Sequence, residues 1–193
     1  MKSRSIASRP WTRRSFLGAG AAAAGAALIP GRAAASTFEA SRAPERVLSF
    51  FNIHTGERLS TAYCCAGKYQ PEALQQINVF LRDFRANEVK PIDTGLLDLL
   101  HELHGTLGID QPFHVISGYR SPQTNAMLRA RGGADSGVAS GSLHMVGKAI
   151  DIRVPGVALE QLRSSARALR LGGVGFYPSS NFVHVDTGRV RFW

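Results

Sequence analysis

The chain has 193 residues, of which 23 are lysine or arginine and 14 are aspartate or glutamate, giving a formal net charge of +9. Residues 1–35 hold six of the basic residues and none of the acidic ones. The other 158 residues carry 17 basic and 14 acidic side chains, a net charge of only +3. The basic composition is therefore no sign of nucleic-acid binding, and none is expected. A length of 158 residues fits one domain with a single core.

Residues 1–35 are typical of an export signal. Five basic residues precede Phe16, and a run of mostly glycine, alanine and leucine follows. This run ends at Pro30 and is too short for a helix that crosses a hydrocarbon core of about 30 Å, so it predicts a cleaved signal peptide and no lasting membrane span. RRSFL at 13–17 resembles the twin-arginine motif of the bacterial Tat pathway, and AAA at 33–35 predicts the cleavage site. We expect the mature protein in the periplasm.

Cys64 and Cys65 are adjacent and are the only two cysteines. Their Cα atoms lie about 3.8 Å apart, below the usual disulfide range of about 4.4–6.8 Å, so a bond between them would be strained. Neighbouring thiols could bind a metal or pair between chains, but buried or half-buried strand cysteines are the simpler interpretation. We assign them no functional role.

The first part of the mature region predicts a hairpin and two helices. VLSFFNIHTGERLSTAYC contains two short β-runs around a turn at 55–57. From Pro71, apolar residues recur at helical spacing as far as Phe84, and from Asp93 a leucine stripe predicts a second amphipathic helix. Residues 36–46, which precede the hairpin, are polar and predict a linker.

The second part alternates strands and helices less regularly. Its predicted elements, in chain order, are a strand at 113–117, a helix with Ser121 as N-cap and Pro122 as first residue, a Gly/Ser-rich loop at 131–142, a strand at 148–154, a helix at 158–171, and strands at 174–176 and 182–186. We interpret 47–193 as one α+β domain with a mainly antiparallel sheet flanked by helices, and a mixed sheet remains possible because one helix sits between strands.

Polar side chains with metal-ligand chemistry lie on two of these strands. Asp151 is flanked by isoleucines, and burying its carboxylate without a partner would be very costly, so it must be exposed or compensated. His184 and Asp186 share one face of the last strand, because side chains alternate along a strand. His144 lies where the Gly/Ser-rich loop meets the strand of Asp151.

Zinc suits His144, Asp151 and His184. Two imidazoles and one carboxylate fill three tetrahedral positions and leave the fourth for water, as a catalytic site requires. Magnesium or calcium would select oxygen ligands instead of histidines. By spacing alone, ordinary hydrogen bonding of these side chains is an equally good explanation.

A family resemblance favours the metal. SLHMVGKAID at 142–151 resembles the SxHxxGxAxD zinc motif of the M15-type peptidases, which share a small α+β fold with the hedgehog amino-terminal domain. SGYRS at 117–121 is similar to a family element whose arginine lies beside the zinc. The run from FFNIHTGERL to FVHVDTGRVRFW resembles the DUF882 (YcbK-like) branch of murein endopeptidases over nearly the whole mature chain.

The resemblance implies residue roles. His144, Asp151 and His184 would hold Zn²⁺, and Arg120 would hold a developing oxyanion or a substrate carboxylate with paired donors. Many M15-type enzymes carry a glutamate as general base three residues before the last histidine, whereas this chain has Asn181 there. Asp186 is the nearest replacement. It is predicted either as the base or as a partner that orients an imidazole.

The implied function is a periplasmic zinc peptidase that hydrolyses amide bonds in peptidoglycan cross-links, including the 3-3 type. The alternatives are a D-Ala-D-Ala carboxypeptidase and a non-catalytic, zinc-stabilised cell-wall binding domain, which Asn181 keeps open. The loop at 131–141 is predicted as a rim of the cleft. Trp193 and Tyr177 could stack on substrate, or equally serve the core or an edge.

Overall fold

A computed structural model describes residues 44–132 and 137–193. The predicted signal peptide, at 1–35, and residues 36–43 of the predicted linker lie outside the described residues, as do positions 133–136 of the Gly/Ser-rich loop. None of the described helices is long and apolar enough to cross a membrane.

The described residues form one sheet of eight strands. The strands are β1 Arg46–Asn52, β2 Arg58–Cys65, β3 Lys68–Tyr69, β4 Phe113–Ser117, β5 Ala149–Arg153, β6 Gly173–Tyr177, β7 Phe182–Asp186 and β8 Arg191–Phe192. Their order in the sheet is β3-β2-β1-β4-β5-β7-β6-β8. The pairs β1/β4 and β6/β8 are parallel and the other neighbours are antiparallel, so the predicted mainly antiparallel sheet is confirmed and the sheet is mixed.

Four α-helices accompany the sheet in the described part of the chain: α1 Pro71–Phe80, α2 Thr94–Leu107, α3 Pro122–Gly132 and α4 Leu159–Leu169. The predicted cap of α3 is confirmed, because Ser121 Oγ accepts a hydrogen bond from the Thr124 amide. Asp93 likewise accepts from the Gly95 amide at the start of α2.

The first helix ends earlier than its apolar pattern predicts. The pattern runs to Phe84, but α1 ends at Phe80. Beyond it, Asp83 pairs with Glu88 and accepts hydrogen bonds from the amides of Arg85 and Ala86. This side chain stabilises a turn where the periodicity alone predicts another helical turn.

The two faces of the sheet have different roles. One face carries the core, in which Phe50, Phe113, Ile152 and Val183 are fully or almost fully buried. The residues that alternate with them point to the opposite face, where the polar groups of β5 and β7 lie. The candidate site is therefore built on the face turned away from the main core.

Cys64 and Cys65 both lie in β2, the first buried and the second half-buried, and both are free thiols. The interpretation of the pair as strand cysteines is confirmed.

Candidate metal centre

His144 lies in a single 3-10 turn, Leu143–Val146, just before β5. The turn ends at Gly147, whose φ of 68° lies in the left-handed region. A Cβ at this position would lie 2.3 Å from the carbonyl oxygen of Pro91. Glycine is thus required twice over, for its backbone conformation and for the close approach of another segment. The turn is held in place and presents the buried His144 to the sheet.

Asp151 and His184 are brought together by strand register. They are direct partners in the antiparallel pair β5/β7 and point to the same face. His184 Nδ1 lies 2.9 Å from Asp151 Oδ1, and His144 Nε2 lies 3.3 Å from the same oxygen. The two imidazole nitrogens are 3.2 Å apart. All three side chains are buried, and their ligand atoms lie within 4.8 Å of one another.

Hydrogen bonds select which nitrogen of each histidine faces the centre. His144 Nδ1 lies 2.8 Å from the carbonyl oxygen of Gly118, to which it can only donate. His184 Nε2 lies 2.9 Å from Asp186 Oδ2. With a proton on each of these outer nitrogens, His144 Nε2 and His184 Nδ1 are free to bind a cation.

The geometry of this donor set fits zinc. Tetrahedral zinc with bonds of about 2.0–2.2 Å places its ligand atoms about 3.3–3.6 Å apart. The three donor atoms here, two nitrogens and one oxygen, are 2.9–3.3 Å apart and need to move only by tenths of an ångström. Three electron-pair donors aimed at one buried point repel one another unless a proton or a cation lies between them.

The charges of the site are also consistent with a bound divalent cation. Burial raises the pKa of Asp151, but interactions with His144 and His184 outweigh it and hold this pKa well below its ordinary value. Burial lowers the pKa of His184, but hydrogen bonds to Asp151 and Asp186 outweigh it and raise the pKa to about 9. Without a metal, a proton on His184 thus neutralises part of the acidic charge. A divalent cation would replace that proton, since only an unprotonated nitrogen binds metal.

Arg120 lies beside the three donor residues. Its Nη2 is 3.5 Å from Asp151 Oδ2, and it donates weakly to Ser117 and Asn125 at 3.3–3.4 Å. Only 8% of the residue is exposed, and its Nε has no hydrogen-bond partner among the described residues. The guanidinium therefore has unused donor capacity next to the site, as an anion-binding role requires.

Asp186 lies behind His184 and does not face the cavity. It is fully buried, and Arg191 donates to both of its oxygens at 3.0 and 2.8 Å. The amides of Gly173 and Gly188 donate to Oδ1. Burial raises the pKa of Asp186, but the hydrogen bonds from His184 and Arg191 outweigh it and hold the pKa below its ordinary value. This placement favours the second of the two predicted roles, the orientation of an imidazole.

A cavity of about 250 Å³ opens above the donor residues. Arg120 and the three donor residues line it, together with Gly137–Ala139 and Gly141. The described part of the Gly/Ser-rich loop therefore forms one rim of the cleft, as predicted. Tyr177 and Trp193 also line it, with Tyr177 next to Gly137.

Trp193 is held in a fixed position at the cavity wall. Its backbone pairs with β6 through Val174 and Phe176, and its Nε1 donates to the Tyr177 hydroxyl at 2.8 Å. The ring lies against Gly175, where an added Cβ would be 2.7–2.8 Å from three ring atoms. It is 46% exposed. Trp193 therefore lies at the sheet edge and also lines the cavity, and stacking of its ring on substrate stays a prediction.

Comparison with known proteins identifies the family. A family model described as "Peptidoglycan L,D-endopeptidase MepK", of the M15 peptidase type, matches residues 40–193. The Peptidoglycan L,D-endopeptidase MepK of Escherichia coli K12 is 46% identical over 181 residues, covering 94% of this chain and 96% of the relative. The Probable peptidoglycan L,D-endopeptidase MepK of Haemophilus influenzae is 43% identical over 182 residues, covering 94% and 95%. The chain belongs to the MepK family of M15-type peptidases.

The MepK-family site of this chain differs from the glutamate-containing pattern of many M15-type enzymes. Asn181 ends a short 3-10 turn in the left-handed conformation and is exposed. It is not among the residues that line the cavity. Among the described lining residues, Asp151 is the only carboxylate. The described cavity wall therefore holds no carboxylate that replaces the glutamate missing at position 181.

Sequence reasoning did not identify Arg191 as part of this MepK-family site. Arg191 makes a bidentate contact with Asp186, and its guanidinium lies 4.8 Å from the Trp193 ring centroid. It belongs to the two-residue strand β8, which is too short to produce a recognisable pattern. The only available signal was an arginine five residues after a buried aspartate.

Proposed function

We propose that this chain is an exported zinc peptidase that hydrolyses peptide cross-links in peptidoglycan, with L,D-endopeptidase activity. The observation that carries the proposal is the convergence of His144, Asp151 and His184 donor atoms at the base of a cavity. The names of the relatives support the substrate and the bond type. The basic and apolar residues at 1–35 support Tat-dependent export to the periplasm, where peptidoglycan lies.

In this proposal His144 Nε2, His184 Nδ1 and Asp151 hold Zn²⁺. When bound, zinc supplies Lewis acidity that polarises the scissile carbonyl and makes a water molecule more acidic. The carbonyl of Gly118 holds the proton on the far nitrogen of His144. Asp186 does the same for His184, so each imidazole offers an electron pair in a set direction.

Arg120 stabilises negative charge on the substrate. Its guanidinium lines the cavity beside Asp151 and retains donor capacity. Burial strengthens a charge-assisted hydrogen bond from this group to an oxyanion or to a nearby carboxylate, because little water competes there. Ser117 and Asn125 limit the directions in which the side chain can turn.

The test is digestion of purified sacculi by the mature protein, with chromatographic analysis of released muropeptides and elemental analysis of bound metal. We expect one zinc per chain and the loss of cross-linked species. His184→Ala should lose both the metal and the release of products. His101→Ala, on α2 and outside the cavity lining, is the matched control and should retain both.

A non-catalytic zinc-stabilised binding domain is the second candidate, because no described lining residue other than Asp151 is a carboxylate. It predicts that the wild-type protein binds zinc and sacculi but releases nothing that His184→Ala does not. A D-Ala-D-Ala carboxypeptidase would instead release free alanine from uncross-linked peptides. Products in which a cross-link is cut support the endopeptidase proposal against both.

A further inference from the structure

A row of four side chains crosses the sheet on the face that carries the metal centre. Phe51 on β1 pairs with Arg58 on β2 and with His114 on β4. His114 in turn pairs with Arg153 on β5. Paired residues point to the same face, and neighbouring strands lie about 4.8 Å apart, so the four residues span about 14 Å. We call Arg58, Phe51, His114 and Arg153 the cross-strand row.

The cross-strand row leads into the cavity. Arg153 follows Ile152, whose partner on β7 is Val183, and Phe182 precedes Val183. Arg153 and Phe182 therefore lie side by side at the same end of the β5/β7 pair. Phe182 stacks on Tyr177 with ring centroids 4.6 Å apart, and both rings line the cavity. Arg153 is also only two residues from Asp151 on the same face, about 6–7 Å along the strand.

The row is aromatic at its centre and cationic at both ends. The rings of Phe51 and His114 lie 4.8 Å apart, and the Arg58 guanidinium lies 4.5 Å above the Phe51 ring. Burial lowers the pKa of His114, and the charges of Arg153 and Arg58 lower it further. The histidine is therefore a flat neutral surface at pH 7, flanked by two permanent cations.

The two cations have no acidic partner in the part of the chain that the structure describes. Neither the Arg58 nor the Arg153 guanidinium makes an ion pair or a hydrogen bond with another described residue. The acidic neighbour of Arg58 in the sequence, Glu57, is already engaged by Arg82 at 3.0 Å and by the Thr55 hydroxyl. A half-exposed surface with two uncompensated guanidiniums and two flat rings complements an extended, carboxylate-bearing ligand.

We propose that the cross-strand row binds one carboxylate-bearing peptide arm of the peptidoglycan cross-link whose scissile bond lies in the cavity. This inference rests on the proposed function. A cross-link has two arms, both peptides with free carboxylates, and an arm that leaves the cavity past Phe182 meets Arg153 first. Phe51 and His114 then contact its apolar parts, and Arg58 reaches a second carboxylate farther along.

The test uses Arg153→Gln, Arg58→Gln and the double variant, with Arg163→Gln as matched control. Arg163 lies 4.7 Å above the ring of Phe176, in the same arrangement as Arg58 over Phe51, but on α4. With a soluble cross-linked muropeptide, we expect KM to rise roughly 3-fold for each single change and about 10-fold for the double variant, with kcat nearly unchanged. Arg163→Gln should leave both constants unchanged, and Arg153→Lys should restore much of the loss.

A second substrate, with its free carboxylates amidated, tests whether the cross-strand row recognises the carboxylates of the substrate. Wild type should bind it as weakly as the double variant binds the unmodified substrate. Equal KM values for wild type and double variant on the unmodified substrate would overturn the proposal, as would a rise in KM that persists with the amidated substrate. If the wild-type protein cleaves nothing, the proposed function fails, but co-sedimentation with sacculi still tests the cross-strand row. Weaker binding of the double variant to sacculi supports the row as a binding site. Equal binding of the wild type and the double variant overturns it.

Discussion

His144 and His184 each have two nitrogens, and single hydrogen bonds decide which one can bind a cation. Gly118 contacts Nδ1 of His144, whereas Asp186 contacts Nε2 of His184. The two histidines therefore offer different nitrogens to the same point. Sequence reasoning could name both residues and Asp151, because the motif and the alternation of strand side chains were visible. It could not assign Asp186, because both of its possible roles need the same position on the strand.

Asp186→Asn separates the two roles. If Asp186 orients His184, we expect zinc affinity to fall by about 10–100-fold, because the amide holds the imidazole more weakly and leaves Arg191 without its anion. Chelator competition on the purified protein measures this directly. A pure general base would lower kcat and leave zinc affinity unchanged, which would falsify the orienting role. Asp98→Asn, which changes a carboxylate outside the cavity lining, is the control for general effects on folding.

Among the secondary-structure elements, the short edge strands β3 and β8 escaped prediction. Each has two residues, too few for a period-2 pattern. The strand β8 nevertheless matters to the site, since it brings Arg191 to Asp186 and leads to Trp193 over Gly175. Only the parallel pairing with β6 reveals these contacts.

Gly175→Ala tests the packing of the Trp193 ring against Gly175. A methyl group at this position would overlap the indole, so we expect the ring to shift, the cavity wall to change, and stability to fall by about 1–3 kcal/mol. In a chain that begins after residue 35, Trp193 is the only tryptophan, so its fluorescence spectrum reports the shift. Gly105→Ala, where the added methyl meets open space in α2, should instead stabilise the protein by up to about 1 kcal/mol. An unchanged spectrum in Gly175→Ala would contradict the packing described.

At the scale of the whole molecule, one carboxylate joins a helix to the edge of the sheet that lies away from the metal centre. Asp98 on α2 accepts hydrogen bonds from Arg46 on β1, Tyr63 on β2 and Tyr69 on β3, at 2.6–2.9 Å. Partial burial raises the pKa of Asp98, but the hydrogen bonds from Tyr69, Tyr63 and Arg46 outweigh it and hold the pKa below its ordinary value. The ionised carboxylate thus stabilises the fold.

The sign of the pH dependence follows from this depressed pKa. The stabilisation by Asp98 is fully present above the carboxyl's unfolded pKa of about 3.9 and is lost as the pH falls through the lower folded value. Asp98→Asn should therefore destabilise the protein by about 1–2 kcal/mol at pH 7. The difference from wild type should shrink below about pH 4. Urea unfolding of both proteins at several pH values measures it, and a difference that is constant with pH would contradict the assignment.

The sequence by itself determined the main helices and strands, the α+β class and the residues of the candidate metal centre. It could do so because periodicity, capping residues and a motif at fixed spacing are local properties of the chain. Only the tertiary structure decided the early end of α1, the burial of Asp186 behind His184, and the alignment of Arg58, Phe51, His114 and Arg153 into one row. Each of these depends on which segments pack or pair together, and the residues of one strand do not specify which other strand pairs with it.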